Sequence, residues 1–234
     1  MGSVFRFKKF EVDQSGCAMK INTDGVLLAA VVWHANPRFV LDIGTGTGVI
    51  ALMLAQRFPD ANVDAVEIDE SAANAAIGNF ARSSFSERTR AHFGAIEDYV
   101  TERKYDLIVS NPPYFVNDLK NPELRKGIAR HADAQFFESL LTKVSEILTE
   151  EGFFWVILPV KQAELLVQSA AAFNLSLLKQ IDICSDQSKP VIRQIICLSA
   201  LKEITERETF YIYESKGVYT NAYRLLLKDF FLAF

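Results

Sequence analysis

Cysteine, histidine, positive charge and long apolar runs are all in short supply. The 234 residues hold three cysteines, Cys17, Cys184 and Cys197. Their odd number and wide spacing support neither a disulfide framework nor a thiolate metal cluster, and they read as reduced, small apolar residues. His34, His92 and His131 are isolated from one another, so no metal is expected. The apolar runs at 26–33 and 152–159 fall short of the roughly 20 residues needed to cross a bilayer, so no membrane span is expected. The opening MGSVFRFKKF is basic but lacks the apolar stretch of a secretory signal, and Arg6 stands where a myristoylation signal needs Ser or Thr. The expected compartment is the cytoplasm. Lys and Arg number 25 against 29 Asp and Glu, a net charge of −4. That balance excludes a protein that is cationic all over, as a strongly basic nucleic-acid binder would be.

What is present is the composition of a soluble globular chain, 50% apolar and 23% charged. The length suits one domain with attachments. Short β-type runs alternate with helical ones, the pattern of an α/β fold on a parallel sheet. Strands are expected at Phe39 to Ile43, Val63 to Ile68, Thr89 to Phe93, Tyr105 to Ser110 and Phe153 to Leu158. Helices are expected at Asp24 to Trp33, Val49 to Phe58, Glu70 to Arg82, Phe136 to Leu148 and Lys161 to Phe173. Leu175 to Cys184 and Val191 to Ala200 read as a hairpin that closes the sheet antiparallel. Val4 to Val12 reads as a strand or arm. The expectation is a seven-stranded, mostly parallel, doubly wound sheet. Residues 39–200 form its domain, 1–38 an arm and helix packed on it, and 201–234 an extension of the same globular unit.

Three motifs fall at the carboxyl edge of that sheet, where open α/β folds bind ligands. The first is Asp42-Ile43-Gly44-Thr45-Gly46-Thr47-Gly48, with three glycines at alternate positions between a strand and a helix. Glycines let a ligand approach the backbone, and the helix start offers free N–H groups. The dinucleotide pattern G-x-G-x-x-G needs a glycine at Val49, which argues against a nicotinamide enzyme. Glu67 ends the next strand, where a carboxylate can accept hydrogen bonds from both hydroxyls of a ribose. The turn at Ala95 and Ile96 can line an adenine. Finally, Asn111-Pro112-Pro113-Tyr114 follows the fourth strand. Two prolines fix the backbone so that the Asn111 amide oxygen and a carbonyl stand as acceptors, and Tyr114 offers a stacking face. Two acceptors and a platform suit a planar amino group.

These residues resemble the class I S-adenosylmethionine-dependent methyltransferases. Cys17-Ala18-Met19-Lys20, Thr23-Asp24-Gly25 and the tail from Tyr219 to Phe231 are similar to the bacterial tRNA1(Val) adenine N6-methyltransferases, which act on the adenine just 3′ of the anticodon of a valine tRNA. The resemblance implies a Rossmann-like fold, S-adenosylmethionine as cofactor and tRNA as partner. It implies that Gly44, Thr45 and Gly46 pass under the cofactor, Asp42 orders their loop, Glu67 holds the ribose, Ala95 and Ile96 border the adenine, and Ile68 and Asn111 also contact the cofactor. Lys20, Thr23 and Asp24 would cover the methionine end. Asn111 and the Pro112 carbonyl would accept from the target amine, and Tyr114 would stack on the base. The motif alone leaves open a glutamine of a release factor, a ribosomal guanine or a DNA adenine as substrate, and a non-catalytic nucleotide-binding scaffold as a different class.

Charge is divided unevenly along the chain. Residues 39–110 carry 6 basic and 11 acidic groups, whereas 1–38 carry 5 and 3. Around the expected pocket the sign reverses: Lys120, Arg125, Lys126 and Arg130 cluster after Tyr114, and Lys216, Arg224 and Lys228 with Tyr223 lie in the tail. Arg6, Lys8, Lys9 and Lys20 can join them in an RNA footprint.

Overall fold

The computed structural model describes residues 4–17, 20–113 and 122–234, with residues 122–133 described by backbone alone. The chain begins with a small antiparallel hairpin, β1 (Val4–Arg6) and β2 (Glu11–Asp13), then a helix α1 (Thr23–Val31). Next come β3 (Phe39–Ile43), α2 (Val49–Arg57), β4 (Asn62–Glu67), α3 (Glu70–Arg82), β5 (Thr89–Phe93) and β6 (Tyr105–Ser110). The long helix α4 (Pro122–Ile147) leads into β7 (Leu148–Leu158), α5 (Val160–Ala170), β8 (Ser176–Cys184) and β9 (Val191–Ser199). The tail adds β10 (Glu206–Tyr211), a second small hairpin of β11 (Tyr213–Ser215) and β12 (Val218–Tyr219), and α6 (Asn221–Leu227).

The central sheet has the order β10-β8-β9-β7-β6-β3-β4-β5. β9 runs antiparallel to both of its neighbours, and every other pairing in the sheet is parallel. The sheet therefore has eight strands rather than seven. The addition is β10, which pairs parallel with β8 at the edge. Its sequence, ERETFY, is mostly exposed on both faces, so it carries no apolar alternation. Lys179 of β8 anchors it instead, 3.4 Å from Glu206 and 3.4 Å from Glu208.

The inner strands are apolar on both faces because both faces are covered. On β7, Trp155 and Ile157 join the cluster with α1, α2 and the two chain ends, while Phe154, Val156 and Leu158 join the cluster with α4 and α5. Phe7, Phe10, Tyr223, Leu227 and Phe230 belong to the first cluster. A bridge between Phe7 and Phe231 ties the first hairpin to the tail. No helix among the described residues is long and apolar enough to cross a membrane.

Candidate active site

The glycine turn leaves β3 and enters α2 with Gly44, Gly46 and Gly48 all at positive φ (71°, 58° and 86°). At Gly44 and Gly46 an added Cβ would meet nothing within 4 Å, so the backbone there faces free space. At Gly48 a Cβ would lie 2.5 Å from the Phe80 ring, so α3 is packed directly on the turn. Four amides of the turn are already taken. Gly44 and Thr45 donate to Val66 O, Gly48 to Thr45 O, and Gly46 to Glu67 Oε2 at 2.8 Å. The turn thus offers a close-approach surface rather than a nest of donors, which suits a sugar and a thioether better than a pyrophosphate.

Two carboxylates hold this turn. Asp42 is fully buried; its Oδ2 accepts from the Thr45 hydroxyl at 2.6 Å and the Ala51 amide at 3.1 Å, while Oδ1 has no partner. Burial pushes its pKa up to about 7, against the pull of the Thr45 and Ala51 hydrogen bonds. Glu67 is buried at the end of β4, with Oε1 accepting from the Asp69 amide at 2.8 Å. Each of its oxygens keeps a lone pair for a further donor.

At the end of β6, the Ser110 hydroxyl donates to Ile43 O at 2.9 Å and binds the two strand ends together. Asn111 follows directly, and its Nδ2 lies 3.5 Å from Asn22 Oδ1. Asn22 is the N-cap of α1, with Oδ1 also accepting from the Gly25 amide at 2.9 Å. Lys20, Ile21, Asn22 and Gly25 form one wall of a narrow cleft of about 50 Å3, and Gly44 to Thr47 with Asn111 form the other. Thr23 is exposed, and Asp24 is ion-paired with Arg193 of β9 at 2.8 Å.

The structure therefore brings Lys20, Gly44, Thr45, Gly46 and Asn111 to one cleft, with Asp42 and Glu67 bonded to its floor. Ile68 is 70% exposed beside Glu67. The Gly94 amide donates to Glu67 O, which sets Ala95 near that strand end. Ile96 is buried under α4 in the second core cluster. Ala95 also borders a wider groove of about 1240 Å3, but that groove extends toward Arg38, Asp64 and Arg103 at the amino ends of the strands, away from the motifs. Pro112 is buried and Pro113 exposed. Tyr114 and Lys120 lie outside the described residues, as do the side chains of Arg125, Lys126 and Arg130 on α4. Among the described residues, no group of three or more His, Cys, Asp or Glu could hold a metal.

Residues 17–173 match the methyltransferase small domain family. The whole chain is 59% identical to the tRNA1(Val) (adenine(37)-N6)-methyltransferase of Pedobacter heparinus, with 100% of each chain covered. The chain belongs to this methyltransferase family. A Bacteroides thetaiotaomicron relative of the same name is 38% identical over 97% of each chain. Among solved structures, a predicted O-methyltransferase of Agrobacterium tumefaciens superposes with a TM-score of 0.68 at 15% identity, covering 88% of this chain and 96% of that one. An O-methyltransferase of neocarzinostatin biosynthesis, solved with S-adenosylmethionine, gives 0.54 at 18% identity over 75% of this chain and 52% of its own. These two likenesses establish the fold.

In this methyltransferase the expected RNA-facing cations are placed unevenly. Arg6 pairs with Glu11 at 3.4 Å, with both side chains largely exposed. Lys8 donates to the main-chain oxygens of Lys228 and Phe234. Lys9 and Lys216 are exposed. Arg224 and Lys228 flank a depression of about 520 Å3 with Tyr219 and Phe234. Tyr223 is buried, its ring stacked on Tyr219 at 4.5 Å between centroids. Its place is inside the tail, where it supports Tyr219. Sequence reasoning passed over Asn22, Asn79 and Arg193. An Asn three residues before Gly25 at a helix start was a legible cap signal; the other two had none.

Proposed function

We propose that this chain transfers the methyl group of S-adenosylmethionine to the exocyclic N6 of adenine 37 in the anticodon loop of valine tRNA. The observation that carries the reading is that Asn111, with its fixed backbone, lines the same cleft as the glycine turn. A methyl acceptor there meets the methyl donor without a relay. The full-length relative of that name supports the choice of substrate.

The residues present fit the cofactor. Gly44 and Gly46 leave their backbone open to close approach, and Glu67 retains acceptor capacity for the two ribose hydroxyls. Ala95, Ile96 and Ile68 border the adenine and ribose side. Lys20, Thr23 and Asp24 cover the methionine end, with Arg193 holding Asp24 in place. Bound there, S-adenosylmethionine supplies an electrophilic methyl on a sulfonium.

The chain's own task is to prepare the amine. The nitrogen lone pair of adenine is delocalised into the ring and nucleophilically poor. Asn111 Oδ1 and the Pro112 carbonyl accept its two N–H groups, which favours pyramidal nitrogen and aims the lone pair. Tyr114 stacks on the ring and fixes its plane. Rate then comes from positioning, with no covalent enzyme intermediate and no strong general base. The nitrogen sheds its proton to solvent after attack. A loop adenine is already partly unstacked, so its extrusion costs less than the few kcal/mol of a duplex base. Lys9, Lys20, Lys216, Arg224 and Lys228, with Lys120, Arg125, Lys126 and Arg130, supply the phosphate contacts, and Arg6 and Lys8 add to them. Residues 1–38 and 201–234 act with 39–200 as one unit.

The test is direct. Labelled S-adenosylmethionine and unmodified valine tRNA are incubated with the protein, and the tRNA is digested to nucleosides. Label is expected in N6-methyladenosine, and its absence there refutes the reading.

A further inference from the structure

Asn79 sits in the interior of α3, where an asparagine is a poor helix former and a buried amide needs partners. It is fully buried, and it has them all. Its Nδ2 donates to Thr47 O at 2.9 Å and to Asp13 O at 3.0 Å. Its Oδ1 accepts from the Asp13 amide at 2.9 Å and from Arg82 Nη2 at 2.7 Å. Both donors and both acceptor sites of the amide are therefore used.

The partners matter more than their number. Thr47 lies in the glycine turn, between Gly46 and Gly48. Asp13 ends β2, and the chain from there forms the opposite wall of the cleft. Gln14 helps shape that return: its Oε1 accepts from the Ile21 amide at 2.7 Å, just before Asn22 caps α1. One side chain thus grips the floor of the cleft and the root of its roof, two segments more than 30 positions apart in sequence. Phe80, the next residue of α3, packs against Gly48 and presses on the same turn. An apolar core residue would fill the space at Asn79 but would leave both segments unlinked.

We propose that Asn79 is a positioning residue for methyl transfer, which locks the glycine turn to the N-terminal segment so that the two walls of the cleft bind the cofactor as one. The proposal rests on the reading of the glycine turn as the cofactor's floor. It predicts an effect on cofactor affinity rather than on the chemical step, because Asn79 touches neither the target amine's acceptors nor their strand.

Asn79→Asp is the incisive variant. It keeps the size and one acceptor oxygen but sets a second oxygen against the carbonyls of Thr47 and Asp13. The Kd for S-adenosylhomocysteine by calorimetry should rise about tenfold, and the KM for S-adenosylmethionine with it, while kcat at saturation stays within about threefold. A Kd within about twofold of the parent protein overturns the proposal. Leu166→Ala, in the core under α5, supplies the comparison for general loosening. If it weakens cofactor binding as much as Asn79→Asp, the role of Asn79 is only structural and the proposal fails. Hydrogen exchange on the unmutated protein tests the link without any variant. Added S-adenosylhomocysteine should slow exchange in 11–14 together with 44–48, and protection confined to 44–48 overturns the proposal. Glu67→Ala separates the two layers of inference. Loss of binding in Glu67→Ala with normal binding in Asn79→Asp refutes the Asn79 role alone, whereas normal binding in Glu67→Ala removes the site reading on which it stands.

Discussion

Between residues 39 and 110 the two carboxylates beneath the glycine turn, Asp42 and Glu67, are buried and bonded to it; in the layer built from the two chain ends a set of cations stands exposed. Asp42 and Glu67 spend three of their four oxygens on hydroxyl and amide donors of the glycine turn, of α2 and of Asp69. Lys9, Lys216, Arg224 and Lys228 stand in solvent, and their support comes from aromatic packing beneath them, such as Tyr219 on Tyr223. The first arrangement fixes the path of the turn. The second fixes only the sign of a surface, which is what exchange of counterions for a phosphate backbone requires. Under the proposed function, precision for the small ligand and loose electrostatic hold for the large one fall to separate parts of the same chain.

The largest expected effect breaks the precise half. Asn111→Ala removes one of two fixed acceptors and should lower kcat about 10²-fold to 10³-fold, with cofactor affinity by calorimetry changed less than about threefold. A loss of the same size in cofactor affinity would move Asn111 from the amine to the cofactor. The next effect belongs to the exposed half. Raising salt from 50 to 200 mM should weaken tRNA binding about 10²-fold if four or five phosphates are contacted, while S-adenosylhomocysteine binding stays nearly flat. A flat tRNA response would erase the contrast between the two regions.

Much of the precise half was legible because its signals are local. Glu70–Arg82, Thr89–Phe93 and Tyr105–Ser110 fall where the sequence periodicity sets them, and the glycine turn needs no knowledge of its neighbours. Failures came where the signal is tertiary. Helix α4 begins at Pro122 rather than at the expected Phe136; its first turns, PELRKGIARHADAQ, are too polar for apolar periodicity to mark them as helix. Strand β10 is held by Lys179 and by an edge of β8, neither visible in ERETFY. The Asp13 to Asn79 and Asp24 to Arg193 contacts join residues 66 and 169 positions apart, a distance over which no motif operates. The amides of Gly44, Thr45 and Gly46 are likewise taken by the next strand, at Val66 and Glu67.

Asp42 gives a subtler way to sharpen the comparison. Burial raises its pKa to about 7 in the folded protein, above the roughly 3.9 of an unfolded chain. Below the unfolded value both states hold the proton, and the group's contribution to stability is fully present. As pH rises toward 7 the unfolded state releases the proton first, so that contribution is lost progressively and is gone above the folded pKa. Asp42→Asn, which keeps an acceptor for Thr45 and Ala51 without the charge, should therefore gain stability relative to the parent protein between pH 4 and 7 and hold a constant difference above pH 8. Thermal unfolding against pH measures it. A difference that does not change with pH would mean that Asp42 is hydrated and normal.

The smallest effect divides two neighbouring lysines. Lys8 reaches the main-chain oxygens of Lys228 and Phe234, so it pins the tail to the first hairpin as well as adding charge, whereas Lys9 is simply exposed. Lys9→Ala should weaken tRNA binding a few-fold and reduce the salt slope by about 1, with the melting temperature unchanged. Lys8→Ala should weaken tRNA binding by a similar factor and also lower the melting temperature by about 2 °C, because it leaves two carbonyls to solvent and loosens the register of Phe7 on Phe231. Equal melting temperatures for the two variants would show that the Lys8 side chain adds nothing to the hold on the tail, and the basic layer would then be pure charge laid over an independent seam.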